Sequence, residues 1–301
     1  MKSIYPVFLG AFLAVSQSAI ADIDIVFNYR YDSSSFFTGE NSSRQELLNA
    51  AASVFETRLQ ENLAAISSSG PDRFNARFFQ PDTGNQITIP NFNVAANEIV
   101  VFAGAYNLGS TLAAGGSGGF SSSGSTAFLD NVYSRGQPGA LLPLETDFSP
   151  WGGAISFNTT SNWYFDTDTT TDESFPGQFD LYSVAVHELA HVLGFSSAQS
   201  FDNLNSGGLF TGSAVHALLG FHPSLTGDGH WVSGLSYSGQ EAAMDPDITA
   251  NQRVHFTELD FAAMKDFGWQ VSPIPEAEIW TLFIAGLGLL GWRSRATQRR
   301  G

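Results

Sequence analysis

The chain has 301 residues, 43% of them hydrophobic and 14% charged, which is enough apolar material for one large domain or two lobes and excludes a disordered chain. Between Asp22 and Pro275 there are 27 acidic and 8 basic residues, a net charge of −19, so this body repels phosphate and nucleic acid is excluded as a partner. With no cysteine, disulfides and thiolate metal sites are excluded too, and any metal ion has to be held by histidine, carboxylate or water.

Lys2, an apolar run from Ile4 to Val15 and Ala19-Ile20-Ala21 before Asp22 read as a secretory signal over residues 1–21. "DIDIVFNYRY" alternates polar and apolar residues as a first strand does. In "SRQELLNAAASVFETRLQENL", Leu47, Ala51, Val54, Phe55 and Leu59 share one helical face, with Ser43 and Glu46 as an expected capping box. "NQITIP", "NEIVVFAGA" and "GGAISFN" read as further strands, and "NEIVVFAGA" is the candidate edge strand for pairing with an extended peptide. The Gly/Ser-rich "AAGGSGGFSSSGS" reads as a connecting loop or flap. Asp166, Asp168, Asp172 and Glu173 form an acidic loop, either solvated or a calcium site, without the spacing or turn glycine of an EF-hand.

Asp180 can cap a helix beginning at Leu181 and stopped by Gly194. Val186, Leu189, Ala190 and Leu193 form its core stripe, while Val184, His187, Glu188 and His191 share the other face. Two imidazoles one turn apart can share one zinc tetrahedron. Glu188 between them is a general base for a zinc-bound water, since burying a carboxylate there for packing alone is costly.

"HELAHVLG" closely resembles the active-site signature of the metzincin zinc peptidases, in which a glycine ends the helix. Most metzincins carry a third ligand three residues after that glycine; here the position is Ser197. The candidates farther along are His216, His222, His230 and His255. His230-Trp231 followed by Met244 resembles the leishmanolysin-like branch, with its delayed third histidine and methionine turn. That resemblance implies His187, His191 and His230 as the zinc set, with His222 in reserve and Met244 as an apolar floor. It also implies a peptide or protein substrate. Pro246 stands where some metzincins carry a tyrosine. A different zincin arrangement would take Glu258 as third ligand. "VHFTELDFAAMKDFGW" reads as the last helix, with Thr257 and Asp260 at its cap and Gly268 as its stop.

The C-terminal stretch "PIPEAEIWTLFIAGLGLLGWRSRATQRR" resembles a PEP-CTERM sorting signal: Pro275-Glu276, an apolar run from Ala277 to Trp292, then Arg293, Arg295, Arg299 and Arg300. The resemblance implies a temporary inner-membrane anchor removed by an exosortase-type enzyme, in a protein exported to the envelope or matrix of a Gram-negative bacterium. The expected organisation is a signal at 1–21, a peptidase domain at 22–272 and a sorting tail at 273–301. The expected fold is α+β and zincin-like, with a twisted mixed sheet, an active-site helix and a smaller C-terminal lobe. The expected function is zinc-dependent endopeptidase; the alternative is a noncatalytic envelope or matrix binding protein that keeps the scaffold.

Overall fold

The computed structural model describes residues 22–171 and 174–273. The expected signal and the expected sorting tail, save its first residue Pro273, therefore lie outside the described residues, as do Asp172 and Glu173. In chain order the main elements are β1 (Asp24–Asn28), α1 (Arg44–Glu56), β2 (Arg73–Phe79), β3 (Gln86–Ile89), β4 (Glu98–Tyr106), β5 (Ala113–Ser117), β6 (Gly119–Ser123), α2 (Thr126–Ser134) and β7 (Gly152–Asn158). They are followed by α3 (Leu181–Val192), α4 (Gln199–Asp202), α5 (Ser213–Leu219) and α6 (Glu258–Asp266).

Four strands form a mixed sheet in the order β1-β4-β7-β5. β1 and β7 run parallel to β4, and β5 returns antiparallel along β7. The run "NEIVVFAGA" is thus a central strand and not the edge expected for it. Its unbroken apolar character has a direct cause, because both faces of β4 are covered. Ile99, Val101, Ala103 and Ala105 face α1 and α3, whereas Val100 and Phe102 face a second core with Phe74, Phe78 and Trp151. That second core is closed by an antiparallel sheet of order β3-β2-β6.

The edges of the main sheet are β1 and β5. β5 and β6 come from the Gly/Ser-rich stretch expected to be a loop, and their strand character derives from pairing with β7 and β2. The expected Ser43 to Glu46 capping box is also absent. A 3-10 turn at Gly39–Asn41 leads into α1, so Ser43 already has helical dihedrals and its side chain caps nothing. The apolar face is as expected in Leu47, Ala51 and Phe55, which are buried, while the helix stops at Glu56 before Leu59.

α3 lies against α1, β5 and β7. Beyond it a smaller C-terminal lobe of short helices and two-residue ladders packs Trp231, Met244, Phe267 and Trp269 into the same core as Leu189 and Leu193. The fold is α+β with a twisted mixed sheet, as a zincin-like architecture requires. Among the described residues no helix is long and apolar enough to cross a membrane.

Candidate metal centre

α3 carries the first two candidate ligands, and its start is secured from below. Asp180 accepts from the Ser183 N–H at 3.3 Å and the Ser183 hydroxyl at 2.7 Å. The same carboxylate is gripped by Arg253, Nε to Oδ2 at 2.9 Å and Nη2 to Oδ1 at 3.1 Å. Arg253 also donates to the carbonyls of Asp168 and Thr171 and lies 3.4 Å from Asp166 Oδ2. A buried guanidinium therefore supplies the positive charge on the described part of the acidic loop, where the sequence left calcium open.

Every residue of α3 is buried, Val184 included, so the helix is a central rod and not a half-exposed one. It ends at Gly194, whose φ of +108° turns the chain away, and a Cβ there would meet the Phe148 ring at 2.5 Å.

Three imidazoles converge beside this helix. His187 Nε2 lies 3.1 Å from His230 Nε2 and 3.1 Å from His191 Nε2, and His191 to His230 is 3.0 Å. The outer nitrogens explain why this is a donor set. His187 Nδ1 donates to the Ala243 carbonyl at 2.7 Å and His191 Nδ1 to the Phe195 carbonyl at 2.9 Å. A carbonyl only accepts, so each Nδ1 carries its ring's proton and each Nε2 offers a lone pair. Burial pushes the His187 ring well below its usual value, with neighbouring His191 adding to the effect, and burial takes His191 down to about 4. Lone pairs of neutral rings facing one another across 3 Å repel unless a cation lies between them, and zinc stands about 2.0–2.1 Å from each imidazole nitrogen. Donor type, protonation and spacing therefore fit zinc.

His230 reaches the cluster on a loop, with Trp231 fully buried behind it and donating from Nε1 to Asp260 Oδ1 at 2.9 Å. His222 is elsewhere, its ring tilted against that of His216 and its Nδ1 on the Phe210 carbonyl. Glu258 is also elsewhere, paired with Arg58 at 2.6 Å. Ser197 turns its hydroxyl to the His191 carbonyl at 2.7 Å and so braces the helix end. Met244 is fully buried; its carbonyl accepts from Trp231 N–H at 3.0 Å, and the neighbouring Ala243 holds His187.

Glu188 is the fourth group in the cleft. Burial pushes its carboxyl up to about 8, against the pull of the Gly115 N–H on β5. The strand passes so close that a Cβ on Gly115 would lie 2.7 Å from the Glu188 carbonyl and 2.9 Å from its Oε2. The cleft, of about 580 Å³, is lined by Ala113 to Gly115 of β5 and by Asp228, Pro246 and Asp247 of the C-terminal lobe.

Two features of this site escaped the sequence reading. Asp260 accepts from Trp231, from the Ala243 and Met244 N–H groups, and from Thr257, joining the His230 loop, the Ala243-Met244 segment and α6. Only its capping box with Thr257 was visible, as a local pattern. Asp228 stands 3.0 Å from His230 Nδ1, and its carboxyl is held down to about 2, first by the Thr226 hydroxyl and next by the His230 ring. Its two-residue spacing from His230 was the available signal.

The family model described as Matrixin, a peptidase family, matches residues 131–204. That stretch holds His187, Glu188, His191 and Gly194 and ends before His230. Metalloendoproteinase 2-MMP of Arabidopsis thaliana is 27% identical over 178 residues, which cover 55% of this chain and 42% of the relative. The chain thus spans less than half the length of that relative. No solved structure matches. Both similarities support a metalloprotease of the metzincin kind.

Proposed function

We propose that this chain is an exported zinc endopeptidase, with His187, His191 and His230 holding the ion and Glu188 moving the proton. The supporting observation is the convergence of three Nε2 atoms at 3.0–3.1 Å beside a sealed carboxyl in one cleft. Zinc, when bound, polarises the scissile carbonyl and makes a water acidic near neutral pH. Glu188 takes the proton of the attacking water and delivers it to the departing amine. Its seat against Gly115 fixes the carboxyl for both transfers, and a nearby cation draws its raised pKa back toward the working range. The open edge of β5 runs along the cleft wall, so it takes over from β4 as the strand on which an extended substrate pairs.

The delayed third histidine and the following methionine turn favour a leishmanolysin-like arrangement within the metzincins. The secretory signal and the PEP-CTERM-type tail read from the sequence extend the proposal to export, transient membrane anchoring, exosortase-type processing and residence in the envelope or matrix. The purified full-length chain is expected to bind about one zinc per molecule. Glu188→Gln is expected to keep that zinc and to lose about 10²–10⁴-fold of its peptide-library cleavage. Undiminished cleavage by this variant, or a wild type without zinc, overturns the reading.

A further inference from the structure

The outer nitrogen of each imidazole needs a partner, and the three rings are not served alike. His187 and His191 sit on a buried helix and give their Nδ1 protons to main-chain carbonyls. His230 arrives 39 residues after His191 on a loop. Its Nδ1 is sealed from solvent and, among the described residues, no carbonyl or hydroxyl takes its proton. Beside it stands the Asp228 carboxylate, 3.0 Å away and approached obliquely.

That carboxylate is held in place by the turn it belongs to. The Thr226 hydroxyl donates to Asp228 Oδ1 at 2.5 Å and reaches the His230 carbonyl at 3.2 Å. The Thr226 N–H donates to the same carbonyl at 2.9 Å, and the Gly229 N–H closes the turn on the Thr226 carbonyl at 3.0 Å. The Asp228 side chain is 69% exposed, yet it bends toward a ring that is 16% exposed.

We propose that Asp228 is the positioning residue of the third ligand. Its carboxylate takes the His230 Nδ1 proton in a hydrogen bond, fixes the tautomer that leaves Nε2 free and aims the ring at the point where His187 and His191 meet. The inference rests on the zinc reading above. A ligand carried on a loop lacks the rigid frame of α3, and an anionic partner on its outer nitrogen both orients the ring and strengthens it as a donor. Asp247 lines the same cleft but is engaged by the Ser233 hydroxyl at 2.7 Å, which makes it the matched control for charge alone.

The test is the zinc dissociation constant of the full chain, measured by competition with a fluorescent chelator for wild type, Asp228→Asn, Asp228→Glu and Asp247→Asn. The His230 ring ¹⁵N signals of the zinc-loaded protein are recorded alongside. Asp228→Asn is expected to weaken zinc binding about 10–100-fold and to shift the His230 Nδ1 signal. Asp228→Glu is expected to recover part of the affinity, and Asp247→Asn to stay near wild type. Wild-type affinity in Asp228→Asn overturns this inference alone, and so does an equal loss in Asp247→Asn, since the carboxylates then act only through net charge. A wild-type chain that takes up no zinc overturns the zinc reading together with this one.

Discussion

Glu61 is 1% exposed, and among the described residues only one of its oxygens has a partner: Oε1 accepts from the Gln270 N–H, while Oε2 has none. Burial pushes its carboxyl up to about 7, and Asp147 nearby adds to the shift. The unfolded chain releases this proton near the ordinary glutamate value of 4.5, while the folded chain keeps it to about 7. In that window the folded state binds more protons, so stability falls as pH rises and the cost is complete above about pH 7. It is on the order of 3 kcal/mol at about 1.4 kcal/mol per pKa unit. Glu61→Gln keeps an acceptor for Gln270 and removes the ionisation. Urea melts are expected to show the wild type losing stability between pH 4.5 and 7 relative to the variant. Parallel pH profiles would show that Glu61 does not titrate in this way. Ser197 makes the complementary point at the same scale: its position in the signature asks for a ligand, but its hydroxyl is committed to the His191 carbonyl. The third imidazole of the cluster comes from elsewhere, and sequence spacing alone could not say from which residue.

At the level of elements, the contact between β5 and α3 decides how the cleft is walled. Gly115→Ala places a methyl within 2.9 Å of Glu188 Oε2 and 2.7 Å of its carbonyl, so strand and helix have to part. The expected outcome is a stability loss of about 1–3 kcal/mol. Cleavage is expected to fall about tenfold or more, because a misplacement near 1 Å is enough to do so. Zinc content should be unchanged, and an alanine variant with wild-type cleavage would show that this contact does not set the Glu188 geometry. The same contact explains why β5 was unreadable. Gly115 is small because α3 presses on it, and across the pairing with β7 a Cβ on Gly153 would lie 2.1 Å from the Gly116 carbonyl. Small residues look like a loop when read without their neighbours. α3 and α6 were legible for the opposite reason, since their caps at Asp180 and Thr257 and their stops at Gly194 and Gly268 are all local in sequence. β4 lay between these cases: its strand nature was plain in the apolar run, but its central place depends on which strands flank it.

Across the whole molecule, the three candidate ligands tie α3 to the C-terminal lobe. An ion held by the folded chain and not by the unfolded one stabilises by mass action, by about 4 kcal/mol at a thousand times its dissociation constant. Stripping zinc from the full chain with a chelator is therefore expected to lower the melting temperature, and returning zinc to restore it. Identical melting curves with and without zinc would mean that these rings do not hold an ion in the folded state. The α+β plan with its smaller C-terminal lobe was legible through the metzincin resemblance of the helix motif, together with the strand and helix patterns upstream of it. Its long-range ties were not, because Arg253 to Asp180 and Asp260 to Trp231 join residues 73 and 29 positions apart. Asp260 carries a further consequence. Its carboxylate gathers the loop behind His230 and the turn that holds His187, yet it lies near the end of the described chain. In a chain emerging from the ribosome, Trp231, Ala243 and Met244 lack this acceptor until α6 has been synthesised and has docked. Fragments truncated before that helix are therefore expected to hold the cleft's imidazoles less firmly than the full chain does.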